Sequence, residues 1–145
     1  MFEHLKRLDP LERTAILPMP ELNPGAALVI KYAGEGNAPY WNALLARAAK
    51  RVRNKTGAPL IDAATLEENR SEDRAIFPGN VLVSWAGVQD TKRVDIAPTQ
   101  ANMREFCQKL PAWLFDRIRD AAANPATFMV PEDPSPVDAA ELAGN

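Results

Sequence analysis

Histidine and cysteine each occur once in this 145-residue chain, as His4 and Cys107, and that scarcity removes whole classes of chemistry. A single cysteine forms no internal disulfide, so the expectation is a reduced, cytoplasmic protein. Cys107 falls on an apolar helical stripe with no histidine near it in sequence. That setting suits a buried, inert thiol better than a nucleophile. His4 lies in a proline-punctuated stretch, and a general base needs a positioned partner there, so a surface histidine is expected. No apolar run approaches the ~20 residues that span a membrane. Met1 to Pro10 mixes charge with isolated apolar residues, unlike a signal peptide. Gly34-Glu35-Gly36 lacks the rest of a phosphate-loop fingerprint and reads as a turn. The carboxylates between Asp62 and Asp73 lack the spacing of a calcium loop and read as a solvated helix face. The expectation is a protein with no catalytic residues, no metal and no cofactor.

Proline is the residue in excess, with 13 copies unevenly placed. Pro10, Pro18, Pro20 and Pro24 punctuate residues 1–25, and Pro131, Pro134 and Pro136 punctuate residues 130–145. Proline fixes φ and removes a donor, so both segments should avoid regular helix. Residues 130–145 carry Glu132, Asp133, Asp138 and Glu141 with no Lys or Arg, the pattern of a mobile acidic tail. The 46% apolar and 25% charged composition is ordinary for a globular chain and places one folded domain at residues 26–129.

Within that domain the pattern is α+β and mostly helical: a short N-terminal strand or hairpin followed by four to five helices. Ala26 to Tyr32 is short, apolar and β-branched, and reads as a strand. Pro39 suits a first helical turn. Trp41, Leu44, Leu45, Ala48 and Val52 then recur at spacings of three and four, which predicts an amphipathic helix to about Lys55. Thr65 and Glu68 have capping-box spacing and predict a second helix, running to Phe77 before Pro78-Gly79 breaks or kinks it. Val81, Leu82, Trp85 and Val88 fit helical spacing; Val81-Leu82-Val83 would suit a strand equally. Helix is favoured because Leu82 and Trp85 fall on one side. Thr99 is a plausible N-cap for a helix with Met103, Phe106, Cys107 and Leu110 on one stripe. Pro111 restarts the chain, and Leu114, Phe115, Ile118, Ala121 and Ala122 line the next helix. Asn124 is expected in the left-handed cap conformation ahead of Pro125, with Phe128 folding back.

Between Gly36 and Ile61 there are five basic residues, among them Arg47, Lys50 and Arg51, and no acidic ones. Such a helix could track a nucleic-acid backbone, or pair with the acidic helix after it. A binding stripe normally accompanies a basic overall balance, whereas the net charge here is −2, so protein contacts are favoured over nucleic acid.

The order of these elements resembles the tail assembly chaperones of long-tailed bacteriophages. The resemblance rests on the strand Leu28 to Tyr32, the helix Ala38 to Lys55, and the acidic helix Thr65 to Phe77. It continues through Trp85-Ala86-Gly87-Val88, Asp90, the Pro98-Thr99 helix start, and Asn124-Pro125 with Phe128. It covers residues 25–129. Thr91-Lys92-Arg93 stands where that family often has a glycine, which argues against a tight hairpin. What the resemblance implies is a non-enzymatic, homo-oligomeric protein of the host cytoplasm. It would coat the apolar face of the tape-measure protein and yield it to tail tube protein. Trp41, Trp85, Trp113 and Phe115 are the aromatic candidates for that contact, with Arg47, Lys50 and Arg51 as the basic ones. Two other classes remain: a virion structural protein (head–tail connector, tail-completion or decoration subunit), and a small nucleic-acid-binding regulator.

Overall fold

The computed structural model describes residues 1–10, 13–54 and 63–129. A three-stranded antiparallel sheet, ordered β1-β2-β3, is built from β1 (Thr14–Pro18), β2 (Ala27–Lys31) and β3 (Leu82–Ala86). Four helices accompany it: α1 (Ala38–Asn54), α2 (Ala63–Asn80), α3 (Gln100–Lys109) and α4 (Ala112–Ala123). Two short 3-10 helices, Glu3–Leu8 and Pro125–Phe128, lie at either end of the described chain. The architecture is α+β, and among the described residues no helix is long and apolar enough to cross a membrane.

One face of the sheet carries Ala15 and Leu17, Leu28 and Ile30, and Leu82 and Trp85 into the core. The segment expected as a helix around Trp85 is strand β3. The pairing explains why its spacing misleads. Ile30 lies opposite Leu82 but Val29 lies opposite Ser84, so Val83 is an extra residue in β3. A bulge of this kind puts two residues against one and resets the inward alternation. Leu82 and Trp85, three apart, therefore both point inward, and three is also a helical spacing. β1 comes from within the proline-punctuated stretch before residue 26. It occupies an edge, where Pro18, its last residue, can be accommodated because an edge position does not require a ladder donor.

Asn37 ties the strand layer to the helices. Its amide nitrogen donates to Tyr32 O (2.8 Å) and Asn80 O (2.9 Å), and its Oδ1 accepts from Tyr40 N at the start of α1. The buried face of α1 differs from the expected one. Tyr40 is buried and Ala43 and Leu44 pack against the core, while Trp41 and Leu45 stay exposed. The sequence is apolar on two adjacent sides of this helix, and the ring of Tyr40 selects between them by meeting Phe77 edge-on at 5.9 Å.

α2 begins at Ala63, two residues before the anticipated cap at Thr65, and leaves helical geometry at Pro78 and Gly79. Gly79 has φ +85° and lies against the Gln100 side chain, whose Nε2 donates to Pro78 O. α3 starts as expected, with Thr99 Oγ1 accepting from Asn102 N, and it buries Met103 and Cys107. α4 buries Leu114, Phe115, Ile118 and Ala122. Asn124 is extended (φ −94°, ψ 112°) rather than left-handed. The proline after it disfavours helical backbone at the preceding residue, and Asn124 caps the final 3-10 turn by accepting from Ala126 N. Phe128 folds back and meets Tyr32 at 5.8 Å.

Candidate functional site

The Trp85 to Ile96 element shows how a short motif is held. After β3, Gly87 takes φ +70°, and a Cβ there would lie 2.6 Å from Gly25 O. A side chain at that position would meet backbone, so the glycine is required on two counts. The Gly87 carbonyl accepts from Asn23 Nδ2 at 2.6 Å, and Asn23 Oδ1 accepts from Gln89 N. The hairpin-like turn forms without a glycine. Asp90 Oδ1 accepts from Lys92 N and Val94 N, and Arg93 itself adopts φ +62°. Trp85 Nε1 donates to Ile96 O at 2.6 Å, which satisfies the one polar atom of the ring where it is buried. Its ring lies 5.2 Å from that of Phe106. The pair lines an open groove of about 380 Å³ with Leu22, Val88, Ile96 and Leu110.

The other aromatic candidates separate into two groups. Phe115 is wholly buried and packs on Phe77 at 5.3 Å, so like Trp85 it belongs to the core. Trp113 and Trp41 reach solvent, at 62% and 39% exposure. Leu45 at 61%, one turn after Trp41 on the same side of α1, adds to an apolar stripe, and Leu66 on α2 is also exposed. Arg47 is exposed on α1. The side chains of Lys50 and Arg51 lie outside the described residues.

Charged residues of α2 and α4 build a seam that was not anticipated. Arg70 donates to both oxygens of Asp116, from Nε at 2.9 Å and Nη2 at 2.7 Å. Arg119 donates from Nε to Asp73 (2.7 Å) and from Nη1 to Asp116 (3.0 Å). Tyr40 OH donates to the remaining oxygen of Asp73 at 3.1 Å. The signal was present in the sequence. Arg70 and Asp73 are three apart in α2, Asp116 and Arg119 are three apart in α4, and the charges are reversed. Burial, with the Asp73 carboxylate beside it, pushes the Tyr40 hydroxyl well above its ordinary value and keeps it protonated. The hydrogen bond from Arg70 holds Asp116 below the usual carboxylate range, with Arg119 adding to it. The seam therefore acts as a fixed ionic tie, with its carboxylates engaged by guanidinium groups.

The reactive residue types are placed in equally settled surroundings. The Cys107 thiol is buried and pushed up to about 12 by desolvation. Arg74 donates to the Cys107 carbonyl at 2.6 Å and lies over the Phe115 ring at 5.0 Å, closing the end of α3. Among the described residues no group of three or more His, Cys, Asp or Glu side chains could hold a metal ion. What the arrangement offers is surface for contact: the outer stripe of α1, Trp113 on α4, and the groove beside Trp85. Leu45, Leu66 and Phe106 were missed as contact candidates because exposure depends on which helix face the core takes. No family model matches this chain, and no curated protein or solved structure does.

Proposed function

We propose that the chain is a non-enzymatic tail assembly chaperone that binds the apolar face of a tape-measure protein in the host cytoplasm and helps recruit tail tube subunits. The observation that carries this reading is the exposed stripe of Trp41 and Leu45 on α1, one residue away from the buried Tyr40. Large apolar side chains held in solvent on a rigid helix suit the anchors of an interface, and tryptophan is enriched among such anchors. A helical partner with its own apolar stripe would lie along α1 as two amphipathic helices do. Several copies on one long partner would add avidity, so individually weak contacts suffice. The order of elements that resembles the tail assembly chaperones gives the reading its partner.

Co-expression with the long helical reading frame next to this gene, followed by pull-down, tests it. The expected result is recovery of both proteins, with Trp41→Ser together with Leu45→Ser weakening the complex roughly 30-fold, equivalent to about 2 kcal/mol. Mass spectrometry of purified particles completes the test. A chaperone is absent or present in trace, whereas a fixed copy number per particle would establish a virion structural protein instead. A gel shift that is steeply salt-dependent and abolished by neutralising Arg47, Lys50 and Arg51 would replace both readings with a nucleic-acid regulator.

A further inference from the structure

β1 ends the sheet, and its free edge can be assigned group by group. Met19 N donates to Ala26 O, and Leu17 and Ala15 lie opposite Leu28 and Ile30. Backbone groups alternate in direction along an antiparallel strand. Ala15, Leu17 and Met19 therefore turn theirs toward β2, and Thr14, Ile16 and Pro18 turn theirs outward. Among the described residues nothing pairs with the outward N–H and C=O of Ile16. Pro18 O accepts from Arg117 Nη2 at 2.9 Å, and Pro18 has no N–H to offer. The Ile16 side chain stands on the face turned away from the core and is 72% exposed.

Sheet edges are ordinarily guarded by charge, by a bulge or by cover, because an open apolar edge pairs with another strand. Thr14–Pro18 contains no charged residue, and its pairing with β2 runs without a bulge. Pro18 guards only the last position of the strand. Beside the edge runs an open groove of about 440 Å³, whose lining includes Ala15, Ile16, Phe128 and Met129. Ala15 leaves room there because its side chain is a single methyl group.

We propose that two copies of this chain pair β1 to β1, antiparallel and centred on Ile16, and join their sheets into one of six strands. A two-fold axis at Ile16 lets each Ile16 N–H donate to the carbonyl of the other. Thr14 N–H then faces the carbonyl of the partner's Pro18, whose second lone pair remains beside the one Arg117 uses. The ladder stops there, because Pro18 supplies no donor. On the core side Ala15 lies across from the partner's Leu17, small against large, and that leucine extends into the groove beside Phe128 and Met129. On the outer face the two Ile16 side chains cover each other. No like charges meet in this register, and the strand is complementary to itself in size and in hydrogen bonding; that makes a second copy its occupant. The pairing rests on the strand and not on the partner read for α1. A contact this short belongs to the weak class below about 1,200 Å², so the dimer forms and parts with concentration.

Amide hydrogen exchange on the full chain, followed with sedimentation, tests the pairing. In dilute protein the Ile16 amide exchanges fast, while Ala15 and Leu17 are protected by β2. Raising the concentration from about 10 µM to about 1 mM should slow Ile16 roughly 5-fold, for a dissociation constant of about 100 µM, as the sedimenting mass doubles. Ile16→Lys sets two ammonium groups against each other across the axis. It should hold the chain monomeric throughout and leave the urea midpoint in place, because the side chain it replaces is on the surface. Ile16 exchange that does not change with concentration overturns the proposal, whether it is fast or slow. So does a dimer that persists in Ile16→Lys, which places the interface elsewhere. Protection that appears only when another protein is added assigns the edge to that protein and overturns it as well. The concentration series on the parent chain decides the matter even if Ile16→Lys does not fold. Failure of the tape-measure pull-down leaves this result untouched, since no other protein is in the sample.

Discussion

Tyr40 and Trp41 are neighbours in sequence and opposites in circumstance, and they stand for two regions of the molecule. Tyr40 joins the α2–α4 seam, where Arg70, Asp73, Asp116 and Arg119 are drawn together and hydrogen-bonded to one another. Trp41 joins the outer face of α1, where apolar carbon is left in water. The seam keeps the Asp73 carboxylate inside by supplying it with partners from half-buried Arg119 and from Tyr40, which is the condition for burying charge at all. The outer face of α1 keeps apolar groups outside, where Trp41 touches the core only through the edge of Tyr40 and Leu45 stays 61% exposed. Stability is concentrated in the first region and capacity for association in the second. Substitutions should therefore divide, those in the seam and core acting mainly on folding and those on the outer face of α1 mainly on binding.

The largest effect expected on the folding side is from Phe115→Ala. Phe115 is fully buried between Phe77 and the guanidinium of Arg74. Truncating a core phenylalanine costs about 3–5 kcal/mol through lost burial and the cavity left behind. Urea unfolding should show the midpoint falling with the slope unchanged. Asp73→Ala comes next. It leaves Arg119 partly buried without its shorter bond and deprives Tyr40 of an acceptor. The expected loss is about 3 kcal/mol, the lower end for a broken buried pair, because Arg119 keeps Asp116. Tyr40→Phe, which removes only the hydroxyl, should cost about 1 kcal/mol. If Asp73→Ala cost no more than Tyr40→Phe, the seam would not be the tie described.

Acid titration sharpens the same contrast. Asp116 is held below its ordinary pKa by the hydrogen bond from Arg70 and by Arg119. A carboxylate with a lowered folded pKa contributes stability that is complete above the unfolded value of about 3.9 and is lost as pH falls through the folded value. Thermal midpoints should thus decline as pH drops below about 5, and Asp116→Asn should flatten that decline. At the other extreme, burial raises the Cys107 thiol to about 12, so alkylation at pH 8 should proceed only as fast as the protein opens.

These regions were unequally legible in the sequence. α3 and α4 were readable because their signals are local: Thr99 sits at a cap, and Met103, Cys107, Leu114 and Ile118 recur at helical spacing. β3 was not, because the extra residue Val83 lets a strand mimic a helical spacing of three between Leu82 and Trp85. The buried side of α1 was open to two readings, and only the packing of Tyr40 on Phe77 decides between them. The seam joins residues 46 apart in the chain. Its mirrored charge pairs are visible in sequence, but nothing local says that α2 and α4 meet. Exposure of Trp41 and Trp113, and burial of Trp85 and Phe115, follow from tertiary packing alone.

The smallest effect on folding is expected from Trp113→Ala, and it is the most pointed comparison because Phe115 is two residues away on the same helix. Residues two apart on a helix point to different sides. Trp113 is 62% exposed, whereas Phe115 is fully buried. Surface substitutions away from caps and buried networks usually change stability by less than about 0.5 kcal/mol. Trp113→Ala should fall in that range by urea unfolding, against about 3–5 kcal/mol for Phe115→Ala. Trp41→Ala should lie between them, near 1 kcal/mol, because its ring meets Tyr40 edge-on at 6.0 Å and such a pair contributes about 0.5–1.5 kcal/mol. The order reverses for association. Trp41→Ala should weaken partner recovery strongly and Phe115→Ala only in proportion to the fraction unfolded. Trp113→Ala then decides whether α4 shares the interface. If it weakens binding without moving the midpoint, the contact surface extends from α1 to α4. If it leaves both unchanged, binding is confined to the face that Tyr40 turns outward by burying itself.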